Sequence, residues 1–160
     1  MICNSSPLIF LSKINQISLI KKLFGHIIIP EAVKEEILIE EKEGYDLIKI
    51  AIDEELIKIN NPSKNTDFKI GKGENAAINL AIEKKDSLII DDAVAIKIAN
   101  SFNVKTLRTT TLIFWAVEKK ILTRKQAVNV LNKLLDFGYY IAPKYYAALL
   151  TKLIVKDIEN

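Results

Sequence analysis

The chain is poor in the residues that build disulfide frameworks and transition-metal sites. Its 160 residues include one cysteine, Cys3, and one histidine, His26. A single cysteine excludes an internal disulfide framework and a cysteine-based zinc site, and a single histidine excludes a histidine-rich metal cluster. Any bound metal is therefore expected to be a hard cation held by oxygen ligands.

Long apolar runs and a strong excess of one charge are missing as well. No apolar run approaches the length that crosses a bilayer, so no membrane association is expected. Residues 1–10 carry no basic stretch ahead of an apolar core, which predicts no signal peptide and a cytoplasmic location. The net charge of +3 tolerates a polyanionic partner without indicating one. Length and composition are those of one globular domain over residues 1–160.

Short apolar runs alternate with helical patterns along the chain. Strands are predicted at Met1–Cys3, Ile27–Ile29, Leu56–Ile59, Leu88–Ile90 and Val104–Leu107. Helices are predicted at Pro7–Phe24, Pro30–Glu43, Tyr45–Glu55, Glu74–Lys85, Asp92–Phe102, Leu112–Lys119, Arg124–Phe137 and Pro143–Val155. Wholly apolar strands separated by helices predict a three-layer α/β/α sandwich with a mainly parallel central sheet of four to five strands.

Polar residues follow three of the predicted strands. They are Asn4 to Ser6 after the first strand, Asp91 and Asp92 after the fourth, and Arg108 to Thr111 after the fifth. In parallel sheets function collects beyond the carboxyl ends of the strands. We therefore expect these residues to share one rim of the sheet.

Three acidic residues are predicted to face inward on helices. Glu74 is expected to begin a helix and to head its apolar stripe, Asp92 repeats the arrangement, and Glu36 shares a face with Val33 and Ile37. An inward carboxylate is costly unless it is paired, protonated or bound to a metal. The structural alternative is capping, because acids favour first helical turns and Asp91 suits an N-cap.

In order and spacing, six segments together resemble the PIN-domain superfamily, in particular its VapC-like branch of predicted nucleic-acid-binding proteins. The segments are residues 4–9 (NSSPLI), 29–37 (IPEAVKEEI), 71–78 (GKGENAAI), 88–93 (LIIDDA), 107–111 (LRTTT) and 137–143 (FGYYIAP). The resemblance covers nearly the whole chain and implies the PIN-like version of the fold predicted above.

The resemblance also implies a function and a set of site residues. Four acidic positions of the family hold one or two divalent ions, and the matching positions are Asn4, Glu36, Glu74 and Asp92, with Asp91 beside the last. The implied activity is hydrolysis of RNA phosphodiester bonds with Mg²⁺ or Mn²⁺. Ser6 and Thr109 are expected to orient phosphate or secondary ligands, although Ser6 also suits a helix cap before Pro7.

Asn4 departs from the family pattern, which has Asp at this position. An amide oxygen coordinates a hard cation but brings no charge, and Mg²⁺ loses water reluctantly. Three interpretations stay open: a weakened nuclease, a non-catalytic RNA binder, and a deliberate inactivation.

Two other classes of function compete with the nuclease. Gly71, Gly73 and Ala76 match the dinucleotide-binding pattern G-x-G-x-x-A, with Asp91 about 20 residues downstream. The polar segment before Gly71 makes a poor buried strand, which weakens this alternative. The other is a partner-binding module: toxin-like PIN proteins are neutralised by a small antitoxin, and the tyrosines at 139, 140, 145 and 146 suit a homodimer surface.

Overall fold

The computed structural model describes residues 1–154, and every predicted strand is present in it. The strands are β1 (Ile2–Cys3), β2 (Ile27–Ile29), β3 (Ile57–Ile59), β4 (Leu88–Ile89) and β5 (Thr106–Leu107). The helices in this part of the chain are α1 (Ser5–Lys13), α2 (Ser18–Phe24), α3 (Glu31–Ile37), α4 (Tyr45–Asp53), α5 (Lys72–Lys84), α6 (Ala93–Ser101), α7 (Thr109–Glu118), α8 (Arg124–Asp136) and α9 (Pro143–Ile154).

The five strands form one sheet in the order β3-β2-β1-β4-β5, and every pair is parallel. The central strand β1 aligns Ile2 with Ile28 on one side and with Leu88 on the other. Four of the five strands, all but the edge strand β3, end on a fully buried or nearly buried apolar side chain, as expected for a sheet covered by helices on both faces. The α/β sandwich predicted from the sequence is confirmed.

The strand order reverses direction at β1. The chain runs from β1 outward through β2 to β3, and then crosses to β4 and β5 on the other side. Parallel α/β sheets bind ligands at such a switch point, in the crevice outside the carboxyl ends of the strands. The residues that follow β1 and β4 are therefore the ones placed for function.

Two predicted helices are shorter than their apolar patterns. The helix predicted at Pro7–Phe24 is divided into α1 and α2, because Asn15 between them has a left-handed backbone with φ of 56°. The helix predicted at Pro30–Glu43 ends with α3 at Ile37. The acidic run that follows would place negative charge at a helix carboxyl end, where the helix dipole disfavours it.

The remaining helix boundaries agree with the predictions to within a few residues. The last helix was predicted to reach Val155, which lies outside the described residues. Within residues 1–154, no helix is both long enough and apolar enough to cross a membrane.

Candidate functional site

Asn4 lies at the switch point, buried between β1 and β4. Its backbone N–H donates to the carbonyl of Ile89 at 2.9 Å, and its side chain is 1 % exposed. The amide Nδ2 donates to Oε1 of Glu74 at 3.4 Å. The amide Oδ1 is buried and has no hydrogen-bond partner among the described residues. Such an unpaired acceptor is costly in a folded protein, and it is a donor atom of the type that hard cations bind.

The carboxylates of Glu36 and Glu74 lie against the backbone at the start of α5. Oε1 of Glu36 accepts the backbone N–H of Gly73 at 3.0 Å. A Cβ at Gly73 would lie 2.5 Å from both carboxylate oxygens of Glu36, and a Cβ at Gly71 would overlap the carboxylate of Glu74. The two glycines thus leave the space that the two carboxylates fill. Glu74 is the third residue of α5, not its first as predicted, because the helix begins at Lys72.

Asp91 is held by three hydrogen bonds at the end of β4. Its Oδ1 accepts the backbone N–H of Thr109 at 2.9 Å and the hydroxyl of Tyr139 at 2.6 Å, and its Oδ2 accepts the hydroxyl of Thr109 at 2.6 Å. Nη1 of Arg108 donates to the Asp91 carbonyl at 3.0 Å. These contacts join the ends of β4 and β5 to the segment before α9.

The neighbouring Asp92 has a different environment. It is exposed, and its Oδ1 accepts the N–H of Ala95 at 2.7 Å as the N-cap of α6. The predicted N-cap, Asp91, and the predicted inward acid, Asp92, therefore have exchanged places. The reason is that α6 begins at Ala93, one residue later than predicted, so Asp92 is its N-cap and Asp91 lies before the cap.

The two predicted phosphate-orienting residues also differ in their surroundings. Thr109 is fully buried, and both its N–H and its hydroxyl are used on Asp91, so it positions that carboxylate. Ser6 is half-buried in the first turn of α1. It is not the cap of that helix, because α1 begins at Ser5 and Asn4 is the N-cap residue.

Electrostatics link Asp91 to its neighbours. Burial raises the pKa of the Tyr139 hydroxyl, and the negative charge of Asp91 raises it further. Burial and then the same charge raise the pKa of the Cys3 thiol, which makes this cysteine an unreactive core residue. Within residues 1–154, Glu36, Glu74 and Asp91 take part in no salt bridge. Negative charge at this rim is thus offset by hydrogen bonds and not by lysine or arginine ion pairs.

We call Asn4, Glu36, Glu74 and Asp91 the acidic edge, because they lie at the carboxyl-end rim of the sheet. In the described part of the chain, no three Asp, Glu, His or Cys side chains are grouped so as to hold a metal ion. Asn4 supplies an amide where a fourth carboxylate was expected, and Asp91 is engaged by Thr109 and Tyr139. The donor set nevertheless fits a hard cation: two carboxylates and one unpaired, buried amide oxygen are oxygen ligands throughout, and Mg²⁺ commonly keeps several waters.

The structure argues against the dinucleotide alternative. Residues 60–70 before Gly71 form a loop, and no strand leads into the glycines. The N–H of Gly73, which a pyrophosphate would need, is already bonded to Glu36. A pyrophosphate at the start of α5 would also be repelled by the two carboxylates that lie there.

Tyr139 was not identified from the sequence as a site residue. It is one of the four tyrosines that suit a homodimer surface by sequence, yet it is 6 % exposed and its ring packs edge-on against Phe10 at 5.1 Å between centroids. The chain segment between Asp91 and Tyr139 includes three helices, α6, α7 and α8, so no local spacing connects them. The one available signal was the segment 137–143 itself, which forms part of the family resemblance.

Tyr139→Phe is expected to lower the free energy of unfolding by about 2 kcal/mol at pH 7, because a hydrogen bond to a charged acceptor is lost. The pKa of Tyr139 is raised in the folded protein. Its contribution to stability is therefore complete below the unfolded value of about 10 and is lost as the pH rises above it. Urea unfolding of both proteins at neutral and alkaline pH measures the difference.

Tyr140→Phe is the matched control, since Tyr140 is 81 % exposed, and it should unfold like the unmodified protein. If Tyr139→Phe does not lower the free energy of unfolding at pH 7, or if the loss does not become smaller at alkaline pH, the hydrogen bond from Tyr139 to Asp91 does not stabilise the fold as predicted.

Comparison with known proteins identifies a family for the chain. A family model described as DUF3368, PIN domain, matches residues 1–154. No curated protein and no solved structure shows a significant match.

Proposed function

Because this chain belongs to the PIN-domain family, we propose that it is a divalent-metal-dependent endoribonuclease that hydrolyses RNA phosphodiester bonds at the acidic edge. PIN domains have a nuclease-type fold, generally bind nucleic acid and generally depend on divalent metal ions. Two contacts at the start of α5 carry the proposal: Glu74 accepts the amide of Asn4, and Glu36 accepts the N–H of the adjacent Gly73. The buried Oδ1 of Asn4 beside them is unpaired.

Asn4, Glu36 and Glu74 are the residues that we propose as holders of Mg²⁺ or Mn²⁺, with Asp91 and Asp92 on the β4 side. When bound, such an ion polarises a phosphoryl oxygen and makes a bound water more acidic. The carboxylates of Glu36 and Glu74 orient water against the phosphate. Asp91 keeps a constant position because Thr109 and Tyr139 hold it. Ser6 is half-buried, lies two residues after Asn4 and orients the phosphate.

The test is cleavage of single-stranded RNA by the purified chain in Mn²⁺, in EDTA and after Glu74→Gln. Glu74→Gln keeps the shape of the side chain and removes its charge. We expect no cleavage in EDTA and a loss of about tenfold, or about 1.4 kcal/mol, in the variant, because the amide oxygen of Gln still coordinates a cation but brings no charge. Glu54→Gln on the exposed residue after α4 is the matched control.

Cleavage that persists in EDTA, or that is unchanged by Glu74→Gln, contradicts the proposal. A contaminating nuclease is recognised because it would cleave RNA equally in preparations of the unmodified chain and of Glu74→Gln.

A second candidate function is RNA binding without catalysis. Two observations favour it: Asn4 brings no charge to the acidic edge, and Asp92 is exposed and caps α6. In this case the chain binds RNA, and no cleavage appears in Mn²⁺ even after Asn4→Asp.

The toxin type of PIN nuclease is part of the proposal. A VapC-like toxin would be held inactive by a small antitoxin over the acidic edge, and a neighbouring reading frame encoding a short DNA-binding protein would support this pairing. We also propose that the chain forms a homodimer, and its molar mass in solution, measured by light scattering, tests this.

A further inference from the structure

A cavity of about 580 Å³ adjoins the acidic edge on the β4 side. Asp91 and Asp92 form one side of it, and the segment from Tyr139 to Tyr145 forms the other, with Arg108 and Thr110 also in the wall. Its volume falls within the range of about 300–1,000 Å³ that is typical of small-molecule sites. Asp91 and Asp92 belong to the β4 side of the proposed metal site, but that site makes no use of Arg108, Thr110 or the tyrosines that line the cavity.

Two tyrosine rings are available at the cavity. Tyr140 is 81 % exposed and Tyr145 is 46 % exposed, whereas Tyr139 and Tyr146 are engaged with Asp91 and Asn132. An aromatic ring this exposed loses hydrophobic stabilisation unless a partner covers it. Exposed tyrosines beside a nuclease site are suited to stacking with nucleobases.

Arg108 supplies a cation in the same wall. Its Nη1 is bonded to the carbonyl of Asp91, which fixes the guanidinium and leaves its other N–H groups for an anion. The acids that line the cavity are Asp91, which is held by three donors, and Asp92, which accepts the N–H of Ala95. These bonds reduce the repulsion that either carboxylate offers to a phosphate.

Thr110 adds an independent sign of a ligand. It is 1 % exposed, it lies in the wall of the cavity, and its hydroxyl has no hydrogen-bond partner among the described residues. A buried hydroxyl without a partner costs free energy in the free protein, and a polar atom of a ligand would supply the missing partner.

We propose that this cavity is a nucleotide subsite for one base of single-stranded RNA next to the scissile phosphate. Tyr140 and Tyr145 stack on the base, Arg108 binds its phosphate, and Thr110 bonds a polar group of the nucleotide. The subsite selects single strands, because a base in a duplex is not free to enter the cavity. This inference rests on the proposed RNA substrate but requires neither metal nor cleavage.

The experiment measures binding without chemistry. Fluorescence anisotropy of a labelled short single-stranded RNA, and of a matched duplex, is recorded in EDTA. Tyr140→Ala and Tyr145→Ala are each expected to weaken single-strand binding by about tenfold, the usual cost of one base–aromatic stack. Tyr140→Phe keeps the ring and should bind like the unmodified protein. Arg108→Gln should reduce the slope of log affinity against log salt by about 1.

Thr110→Val tests the unpaired hydroxyl. It keeps the shape of the side chain, so we expect a melting temperature that is unchanged or higher, together with weaker binding of the RNA. Melting temperatures of all variants exclude loss of folding as the cause. Arg108→Lys keeps the positive charge, so it should leave the salt slope nearly unchanged.

The inference is wrong if both tyrosine-to-alanine variants bind single-stranded RNA as tightly as the unmodified protein, or if the duplex binds equally well. It is also wrong if the tyrosine variants change the oligomeric state and not the RNA affinity, or if the cavity binds only a protein partner. If RNA is cleaved while the tyrosine variants bind normally, the nuclease stands and the subsite fails. If binding depends on Tyr140 and no RNA is cleaved, the subsite stands and the nuclease fails.

Discussion

Replacing Asn4 by Asp is expected to tighten Mn²⁺ binding by about 30-fold, or about 2 kcal/mol, and to raise Mg²⁺-dependent RNA cleavage with it. Two opposite unit charges 4 Å apart gain about 4 kcal/mol at an effective dielectric of 20. About half of this gain is offset, because the new carboxylate also repels Glu74, which now accepts a hydrogen bond from the Asn4 amide. Isothermal titration with Mn²⁺ and an RNA cleavage assay measure the two effects.

The same substitution has a second expected effect that does not involve activity. Without metal, Asn4→Asp places two carboxylates against each other in a buried position, so the variant should melt below the unmodified protein. With Mn²⁺ the order should reverse, since a ligand that binds the folded state more tightly stabilises it more.

The matched control for this prediction is Asn15→Asp. It makes the same change of charge at an exposed residue between α1 and α2, where the left-handed backbone tolerates Asp as well as Asn. If Asn4→Asp binds Mn²⁺ no more tightly than this control and cleaves nothing, Asn4 is not a metal ligand.

The fold was predictable because its signals are local. The strands β1, β2 and β4 are short, wholly apolar runs, and strands buried on both faces need no alternating pattern. What local patterns did not predict are two interruptions of helical periodicity. The apolar spacing continues from Ile14 through Ile17 although the backbone turns at Asn15, and the spacing after Ile37 continues into an acidic run that ends the helix.

The candidate site was predicted in its location but not in its details. Residues after parallel strands share a rim whatever their identity, so Asn4 and Asp91 were placed correctly by topology alone. Which of Asp91 and Asp92 points inward depends on the residue at which α6 begins, and a shift of one residue exchanges their environments. Tyr139 and Arg108 reach Asp91 through tertiary contacts that no spacing in the sequence encodes.

The glycines at 71 and 73 are the clearest example of a pattern with two physical causes. A missing Cβ allows close approach of a pyrophosphate, and it equally allows close approach of a carboxylate. The sequence pattern is the same in both cases. In this chain the carboxylates of Glu36 and Glu74 fill the space beside the two glycines. The G-x-G-x-x-A pattern therefore marks a packing site for carboxylates and not a dinucleotide-binding site.

Gly73→Ala is therefore expected to reduce Mn²⁺-dependent RNA cleavage by about a hundredfold, the usual effect of moving a catalytic group by about 1 Å. The added methyl would lie 2.5 Å from both oxygens of Glu36, so this carboxylate must move away from the start of α5. Stability should be unchanged or slightly higher, since Ala is favoured over Gly in helices by up to about 1 kcal/mol. Cleavage rates and melting temperatures of the same preparations separate the two effects.

The double variant Gly73→Ala with Glu36→Ala shows whether the methyl acts through Glu36. If it does, adding Gly73→Ala to Glu36→Ala changes neither cleavage nor Mn²⁺ affinity further, because the displaced carboxylate is already absent. Additive losses would mean that Gly73 matters for another reason, such as the approach of the RNA backbone. A large loss of melting temperature in Gly73→Ala alone would show instead that the start of α5 tolerates no side chain, and that the glycine is there for packing.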